Sequence, residues 1–361
     1  MRGWGISLGS HCAAADSFLG VTLGVSLIVG GQFGSEGKGK VARWYADKMG
    51  AAAVVRVGGT NSGHTVIDDD GKPIVLRVLP TAAVDGEALC VLPAGSYVDV
   101  DILNQEIAVT GLSPSMIAID PNAVIIGKDQ IETEKRSGLR NSIGSTESGT
   151  GASVSMRVNR SRDLLFAKDV PSLSGLVCDT VNLMRGLLSK GDEIVVEGTQ
   201  GFGLSSLHSP FYPYVTSRDT TAAGFLSEAG LSPLDVRGVV MVVRTFPIRV
   251  GGNSGPLTNE TTWDEVSSSA GTGKHISEYT SVTKSLRRVA RFDAEIVRRA
   301  LSANNPSLLV LNHLDYIGGD DEPTARRNRS NFVSWVEEEI DRSVDYVGMS
   351  PESVDPVAVL A

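Results

Sequence analysis

Several things are scarce in this chain of 361 residues, and each scarcity excludes a class of function. Cysteine occurs three times, at Cys12, Cys90 and Cys178, with no metal-ligand spacing and no even pairing. That points to a reducing cytosol and to free structural thiols. Positive charge is in deficit, with 33 Lys and Arg against 42 Asp and Glu and a net charge of −9. A nucleic-acid surface is thereby disfavoured, although a local basic pocket for a nucleotide is not. No apolar run reaches the roughly 18 residues of a membrane span. Residues 19–29 are apolar enough to suggest a secretory segment, but only Arg2 supplies an n-region and the run ends in glycines. Residues 1–24 are expected to be a flexible extension or the result of start-codon choice. Internal repeats and long linkers are missing too, so residues 25–361 are expected to form one large domain with insertions.

What is present begins at residues 25–29, a compact apolar run that reads as a buried strand. It gives way to Gly30-Gly31-Gln32-Phe33-Gly34-Ser35-Glu36-Gly37-Lys38-Gly39-Lys40 and then to a helical stretch over 41–49 that stops at Gly50. Strand, glycine loop and helix start make a phosphate cradle, in which backbone N–H groups face an anion and Lys38 and Lys40 add charge. The spacing is not that of the ordinary P-loop, since five residues separate Gly31 from Gly37 and Lys38 is followed by Gly39. A glycine-rich turn with two solvated lysines is the plainer alternative.

Further strands are expected at 51–57, 74–79, 89–92, 116–120, 124–126, 193–197, 239–243 and 308–311, with helices at 99–110 and 172–189. Residues 128–150, polar and rich in Gly and Ser, read as a mobile functional loop. Apolar strands that end in polar residues and alternate with helices indicate an α/β protein with a largely parallel central sheet and helices on both faces, whose ligands bind beyond the strand ends. Within Asn61-Ser62-Gly63-His64-Thr65 a histidine flanked by small residues follows a strand, where it can stabilise a phosphoryl group or a developing oxyanion. Residues 144–151 are a hydroxyl-rich turn that suits a phosphate wrap and a plain surface loop equally well.

The wording of the first loop, Gly-Gln-Phe-Gly-Ser-Glu-Gly-Lys-Gly-Lys, resembles the opening signature of adenylosuccinate synthetases, with Ser35 where that family has Asp. The resemblance extends through five blocks in order. It implies that Ser35, Glu36, Gly37, Lys38, Gly39, Lys40, Gly63, His64, Thr65, Asn312 and Asp315 contact a donor nucleoside triphosphate. Ser35, Asn61, Ser145, Thr146, Gln200, Thr216 and Val250 would hold a nucleoside monophosphate, with Arg160 offered in trans by the second subunit of a homodimer. Arg249, Gly251, Thr283 and Arg287 would bind L-aspartate. Ser35 and Gly63 would hold Mg²⁺, and Ser35, Lys38 and His64 would carry the chemistry.

The departures carry their own implication. A serine hydroxyl is a poor base at neutral pH, so Ser35 cannot easily remove the purine N1 proton as the family's Asp does. Glu36 and a Ser35-bound water are the candidates left. Ser35 could leave room for a 2-amino group, and Ser285, where the family has an arginine near the ribose 2′-hydroxyl, suits a 2′-deoxy sugar. His313 replaces the lysine beside the donor base, which leaves ATP, dATP and GTP open as donors. Together these changes resemble the phage branch of the family, which makes N6-succino-2-amino-2′-deoxyadenylate from dGMP in the host cytoplasm. The alternatives are an ordinary IMP- and GTP-using synthetase and a nucleotide-binding module without catalysis.

Overall fold

The computed structural model describes residues 24–84, 86–280 and 284–360. The expected extension at 1–24 lies almost wholly outside them. Nine strands form the central sheet. Along the chain they are β1 (Gly24–Gly30), β2 (Ala53–Arg56), β3 (Leu89–Leu92), β4 (Ile117–Ile119), β5 (Glu193–Glu197), β6 (Val236–Arg244), β7 (Leu308–Asn312), β8 (Tyr346–Val347) and β9 (Asp355–Pro356). They lie in the order β9-β8-β7-β6-β1-β5-β2-β3-β4. Every neighbouring pair is parallel except β8 with β9.

β1 is buried along its whole length, which is why it reads as an unbroken apolar run. Val25, Leu27 and Val29 face a core that includes Met184, Phe225, Ile296 and Val336 from four helices. Ile28, Val54, Val195 and Val240 face the other way, onto Val41, Ala42, Tyr45 and Ala46 of helix α1 (Lys38–Met49). Helices therefore cover both faces, as the sequence predicts. α1 follows Gly37 with no side-chain cap, which leaves its first N–H groups available to an anion.

Chain order puts the ligand crevice at β1. The chain leaves β1 for β2, β3 and β4 on one side, returns through β5, then crosses to β6 on the other. The carboxyl ends of β5, β1 and β6 thus flank the point where the winding reverses. Four strands near it close on polar residues: Arg56, Glu197, Arg244 and Asn312.

Two expectations need correction. Residues 128–150 are not one loop, because Lys128–Arg136 and Leu139–Ile143 are helical. The first has almost no apolar face, so periodicity does not reveal it. It is held by Glu134, whose carboxylate accepts the N–H groups of Gly149 (2.8 Å), Gly151 (2.5 Å) and Ala152 (3.1 Å) at the start of helix Thr150–Val158. The helix expected at 172–189 spans only Thr180–Ser189, capped by Asp179. Before it the chain makes a 3₁₀ turn at Pro171–Leu173 and then meets the sheet edge, where Ile119 N–H donates to the Leu176 carbonyl and Cys178 N–H to that of Ile119.

Ile28 has no exposed surface and sits between the two helical layers. Ile28→Ala is expected to lower stability by about 2–5 kcal/mol, read from urea unfolding. A loss below about 1 kcal/mol would mean that this face of the sheet is not tightly packed.

Candidate active site

The phosphate loop is shaped from beneath by a carboxylate. Glu36 is fully buried, and its Oε1 accepts the N–H groups of Gln32 (3.1 Å) and Gly34 (2.8 Å) while Oε2 receives Lys38 Nζ at 2.6 Å. Asn312 Nδ2 donates to the Glu36 carbonyl at 2.8 Å. Gln32 exchanges two hydrogen bonds with the backbone of Arg244, at 2.9 and 3.1 Å. Gly30 has to be glycine, since a Cβ there would lie 2.7 Å from Glu36 Oε2 and 2.8 Å from the Gln200 carbonyl. At the tip, Ser35 is exposed in a left-handed conformation (φ 58°), and its carbonyl accepts Arg244 Nη1 at 2.8 Å. Glu36 therefore organises the loop and turns away from the cavity, which counts against it as a base.

His64 opens the hairpin His64–Ile67/Pro73–Leu76 and lies against the end of β5. Glu197 is fully buried, and its Oε1 contacts His64 Nδ1 (2.5 Å) and Arg56 Nη1. Its Oε2 accepts Thr81 N–H (2.8 Å) and Oγ1 (2.9 Å). Burial pushes the Glu197 carboxyl up, but Arg56 and His64 outweigh it and hold the group at about 2. Burial, reinforced by Arg56, pulls His64 down to about 4, so its ring is neutral at pH 7. Nδ1 is flanked by Glu197, which only accepts, and by Arg56, which only donates, so both engage that nitrogen and leave Nε2 for the cavity.

The third wall is the segment that carries Arg287. Arg244, fully buried, reaches from the end of β6 to both Ser35 and the Glu278 carboxylate, and Tyr316 Oη donates to Glu278 Oε1 at 2.9 Å. Of the two adjacent arginines, Arg288 is paired with Glu260 (2.7 Å) while Arg287 borders the cavity. At the far end Lys40 Nζ donates to the Ser350 carbonyl at 2.8 Å. Burial pulls Lys40 down to about 8 against the opposing pull of Asp315 and Asp355. His313 is left-handed (φ 59°) with its ring 5.2 Å from that of Tyr316, and burial lowers it to about 3.

These walls enclose a cavity of about 430 Å³. Ser35, Gly37, Lys38, Gly39, Lys40, Asn61, Gly63, His64, Thr65, Ser145, Thr146, Gln200, Val250, Gly251, Ser285, Arg287 and Asp315 all border it. Others stand back. Asn312 braces the loop from below, and Thr216 meets Asn61 Nδ2 at 3.4 Å. Arg249, expected at the aspartate, is buried over Phe33 (4.7 Å to the ring centre) and donates to the carbonyls of Tyr214 and Pro256. Arg160 is exposed after helix Thr150–Val158 and does not border its own chain's cavity. Thr283 lies outside the described residues.

Sequence reasoning misses Arg56, Glu197, Arg244 and Glu278. Three of these end an apolar strand, and a charge closing such a run is the signal that could have found them. Glu278 carries no such mark.

A glycine phosphate loop at the switch point of a parallel sheet, with lysines, a carboxylate-held histidine and an arginine-bearing loop around one cavity, defines an enzyme of nucleotide-dependent phosphoryl chemistry. The adenylosuccinate synthetase family model matches residues 27–168 and 165–325. Adenylosuccinate synthetase of Methanocaldococcus jannaschii is 35% identical over 341 residues, covering 92% of this chain and 96% of its own. That of Archaeoglobus fulgidus is 32% identical, covering 91% and 96%. The chain belongs to the adenylosuccinate synthetase family, and is thus a ligase that joins aspartate to a purine nucleotide, in a family that uses a nucleoside triphosphate and Mg²⁺. Among solved structures, cyanophage S-2L succinoaminodeoxyadenylate synthetase bound to dGMP and dATP superposes with a TM-score of 0.76 at 29% identity, covering 91% of this chain and 93% of that one. Adenylosuccinate synthetase from Plasmodium falciparum shares the fold, with a TM-score of 0.79 at 20% identity over 91% and 98% of the two chains. No helix of the described residues is long and apolar enough to cross a membrane.

Glu197→Gln should lower kcat about 10–100-fold by releasing the His64 ring, with KM for the monophosphate little changed. Steady-state phosphate release checks this, and an unchanged kcat would free His64 from Glu197. His64 and His313 both titrate lower folded than at their ordinary value of 6.5. The unfolded chain therefore takes up their protons first, so stability is full above pH 6.5 and falls as pH drops from 6.5 towards 4. Urea unfolding at pH 7, 6 and 5 should show this loss, with a shallower slope in His313→Asn. A flat profile would contradict it.

Proposed function

We propose that this enzyme joins L-aspartate to C6 of dGMP, using ATP or dATP, to give N6-succino-2-amino-2′-deoxyadenylate, ADP or dADP, and phosphate. The observation that carries the reading is Ser35, exposed at the loop tip on the cavity wall, a smaller side chain than aspartate that leaves room for a 2-amino group. Ser285, bordering the same cavity, supports a 2′-deoxy sugar. The similarity to a cyanophage enzyme described as bound to dGMP and dATP adds weight.

In this reading Lys38, the loop amides and the start of α1 hold the donor phosphates, and Lys38 exchanges its Glu36 partner for them. His64 turns Nε2 towards the transferring phosphoryl group and donates to its oxygens. Arg287 takes a carboxylate of aspartate. The Ser35 hydroxyl and Gly63 carbonyl fit a Mg²⁺ that draws most of its ligands from phosphates and water, since both border the cavity and no acidic cluster of metal-binding size occurs among the described residues. When bound, the ion offsets phosphate charge. Arg160, exposed and remote from its own cavity, suits a partner subunit's monophosphate site, which supports a homodimer. A cytoplasmic setting fits the unpaired Cys90 and Cys178.

Asp315 favours a second reading, because a carboxylate on the cavity wall suits the N1 and N2 hydrogens of a guanine donor, as an ordinary GTP- and IMP-using synthetase requires. The deciding experiment is aspartate-dependent phosphate release with Mg²⁺ and ATP, dATP or GTP, comparing dGMP, GMP, IMP and dIMP. Turnover of dGMP at least tenfold above the others is expected, with Ser35→Asp moving the preference towards IMP. A preference for IMP in the unaltered protein would sink the proposal.

A further inference from the structure

Phosphorylation of O6 on a 6-oxopurine requires a proton acceptor at N1. The O6–phosphorus bond forms, the bond from the γ-phosphorus to the donor diphosphate breaks, C6 and N1 become doubly bonded, and the N1 hydrogen must leave. Position 35 itself, being serine, offers no carboxylate for it. Among the described residues only two carboxylates border the cavity, Glu278 and Asp315. Asp315 lies beside Lys40, whose Nζ donates to the Ser350 carbonyl. Glu278 lies at the loop tip, because a single nitrogen of Arg244 bridges the Ser35 carbonyl (2.8 Å) and Glu278 Oε2 (3.3 Å).

The two oxygens of Glu278 are unequally engaged. Oε1 receives Arg244 Nη2 and the Tyr316 hydroxyl, whereas among the described residues Oε2 has only the long contact to Arg244 Nη1. The side chain keeps 22% of its surface exposed, on the cavity. A carboxylate oxygen has room for two acceptances, so Oε2 retains capacity towards a ligand.

We propose that Glu278 accepts the N1 hydrogen of the purine monophosphate and takes that proton as O6 bonds to phosphorus. The inference rests on the family's 6-oxopurine chemistry, and on the reading of Ser35 above only for which purine is bound. Burial favours the neutral carboxyl, but Arg244, with the Tyr316 hydroxyl, keeps Glu278 ionised, and Arg287 stands on the same wall. Its weak basicity is no obstacle. As O6 becomes bonded to phosphorus the ring turns cationic and N1–H strongly acidic, so a modest acceptor suffices once it is in place.

The test compares wild type, Glu278→Gln and Glu278→Asp on dGMP and on 2-amino-6-chloropurine 2′-deoxyribonucleotide, which has no N1 hydrogen and loses chloride directly to aspartate. The same pair is run in parallel as IMP and 6-chloropurine ribonucleotide. Glu278→Gln is expected to lower kcat on the oxopurine about 100-fold or more, with KM for aspartate within about threefold, and Glu278→Asp to recover part of the rate. Chloropurine turnover should be equal in all three proteins. A kcat within about threefold of wild type overturns the proposal, as does equal loss on oxo and chloro substrates. A raised KM for aspartate at unchanged kcat also overturns it, assigning Glu278 to the aspartate ammonium instead. If wild type ignores the chloropurines, the split between kcat and KM with the Glu278→Asp recovery decides. A wild type that turns over IMP but not dGMP defeats the substrate reading alone, because Glu278 is then judged on the IMP pair.

Discussion

The site depends on keeping ionised groups out of water at the carboxyl ends of parallel strands. Glu197 has no exposed surface, and an ionised carboxylate in that position is tolerable only when each oxygen is matched. Here the match comes from three directions: Arg56 from the neighbouring strand, His64 from the hairpin and Thr81 from the turn that follows it. Removing any one partner leaves charge uncompensated in a dry interior, which is far costlier than an exposed pair would be. Hairpin, sheet and histidine are therefore fixed together. That is how a ring on a surface hairpin acquires one orientation.

The same device recurs across the crevice. Arg244 ends β6 as Glu197 ends β5, and it ties the phosphate-loop tip to the segment bearing Arg287 through Ser35 and Glu278. Glu36 gathers the N–H groups of its own loop from below, which frees the upper surface for an anion. Each of these charges orders backbone. Lys38, Lys40, His64 and Arg287 are left on the cavity wall, and their geometry is inherited from that buried framework.

How legible this was follows from which forces act locally. The parallel α/β fold and the phosphate loop could be read because unbroken apolar strands and clustered glycines leave a direct mark on sequence. Helix Lys128–Arg136 could not, since its stability comes from a long-range bond of Glu134 to another helix's start and not from an apolar stripe. Many of the residues named by resemblance border the cavity, but resemblance could not distinguish residues that line it from residues that brace them. Arg249 and Glu36 each sit within a matching motif, yet one is stacked against aromatic rings and the other is buried under the loop. Glu278 was invisible for the opposite reason. Nothing near it in sequence predicts that Arg244 and Tyr316 will converge on it.

Ser35 shows why the loop tolerates the loss of a carboxylate side chain. Its left-handed backbone is strained for a residue other than glycine, asparagine or aspartate, by roughly 1–2 kcal/mol, and so must be imposed from outside. Arg244, itself locked by Glu278, does so by drawing the Ser35 carbonyl inward. The tip conformation is thus set by main chain and not by the side chain at position 35. A hydroxyl can replace a carboxylate without reshaping the cradle, and what changes is the charge and volume presented to the purine edge. One acidic group is removed from a wall that still holds Glu278 and must also admit the phosphates of two nucleotides. The exchange lowers repulsion towards those anions and shifts the burden of proton acceptance to the carboxylate that the same arginine holds alongside.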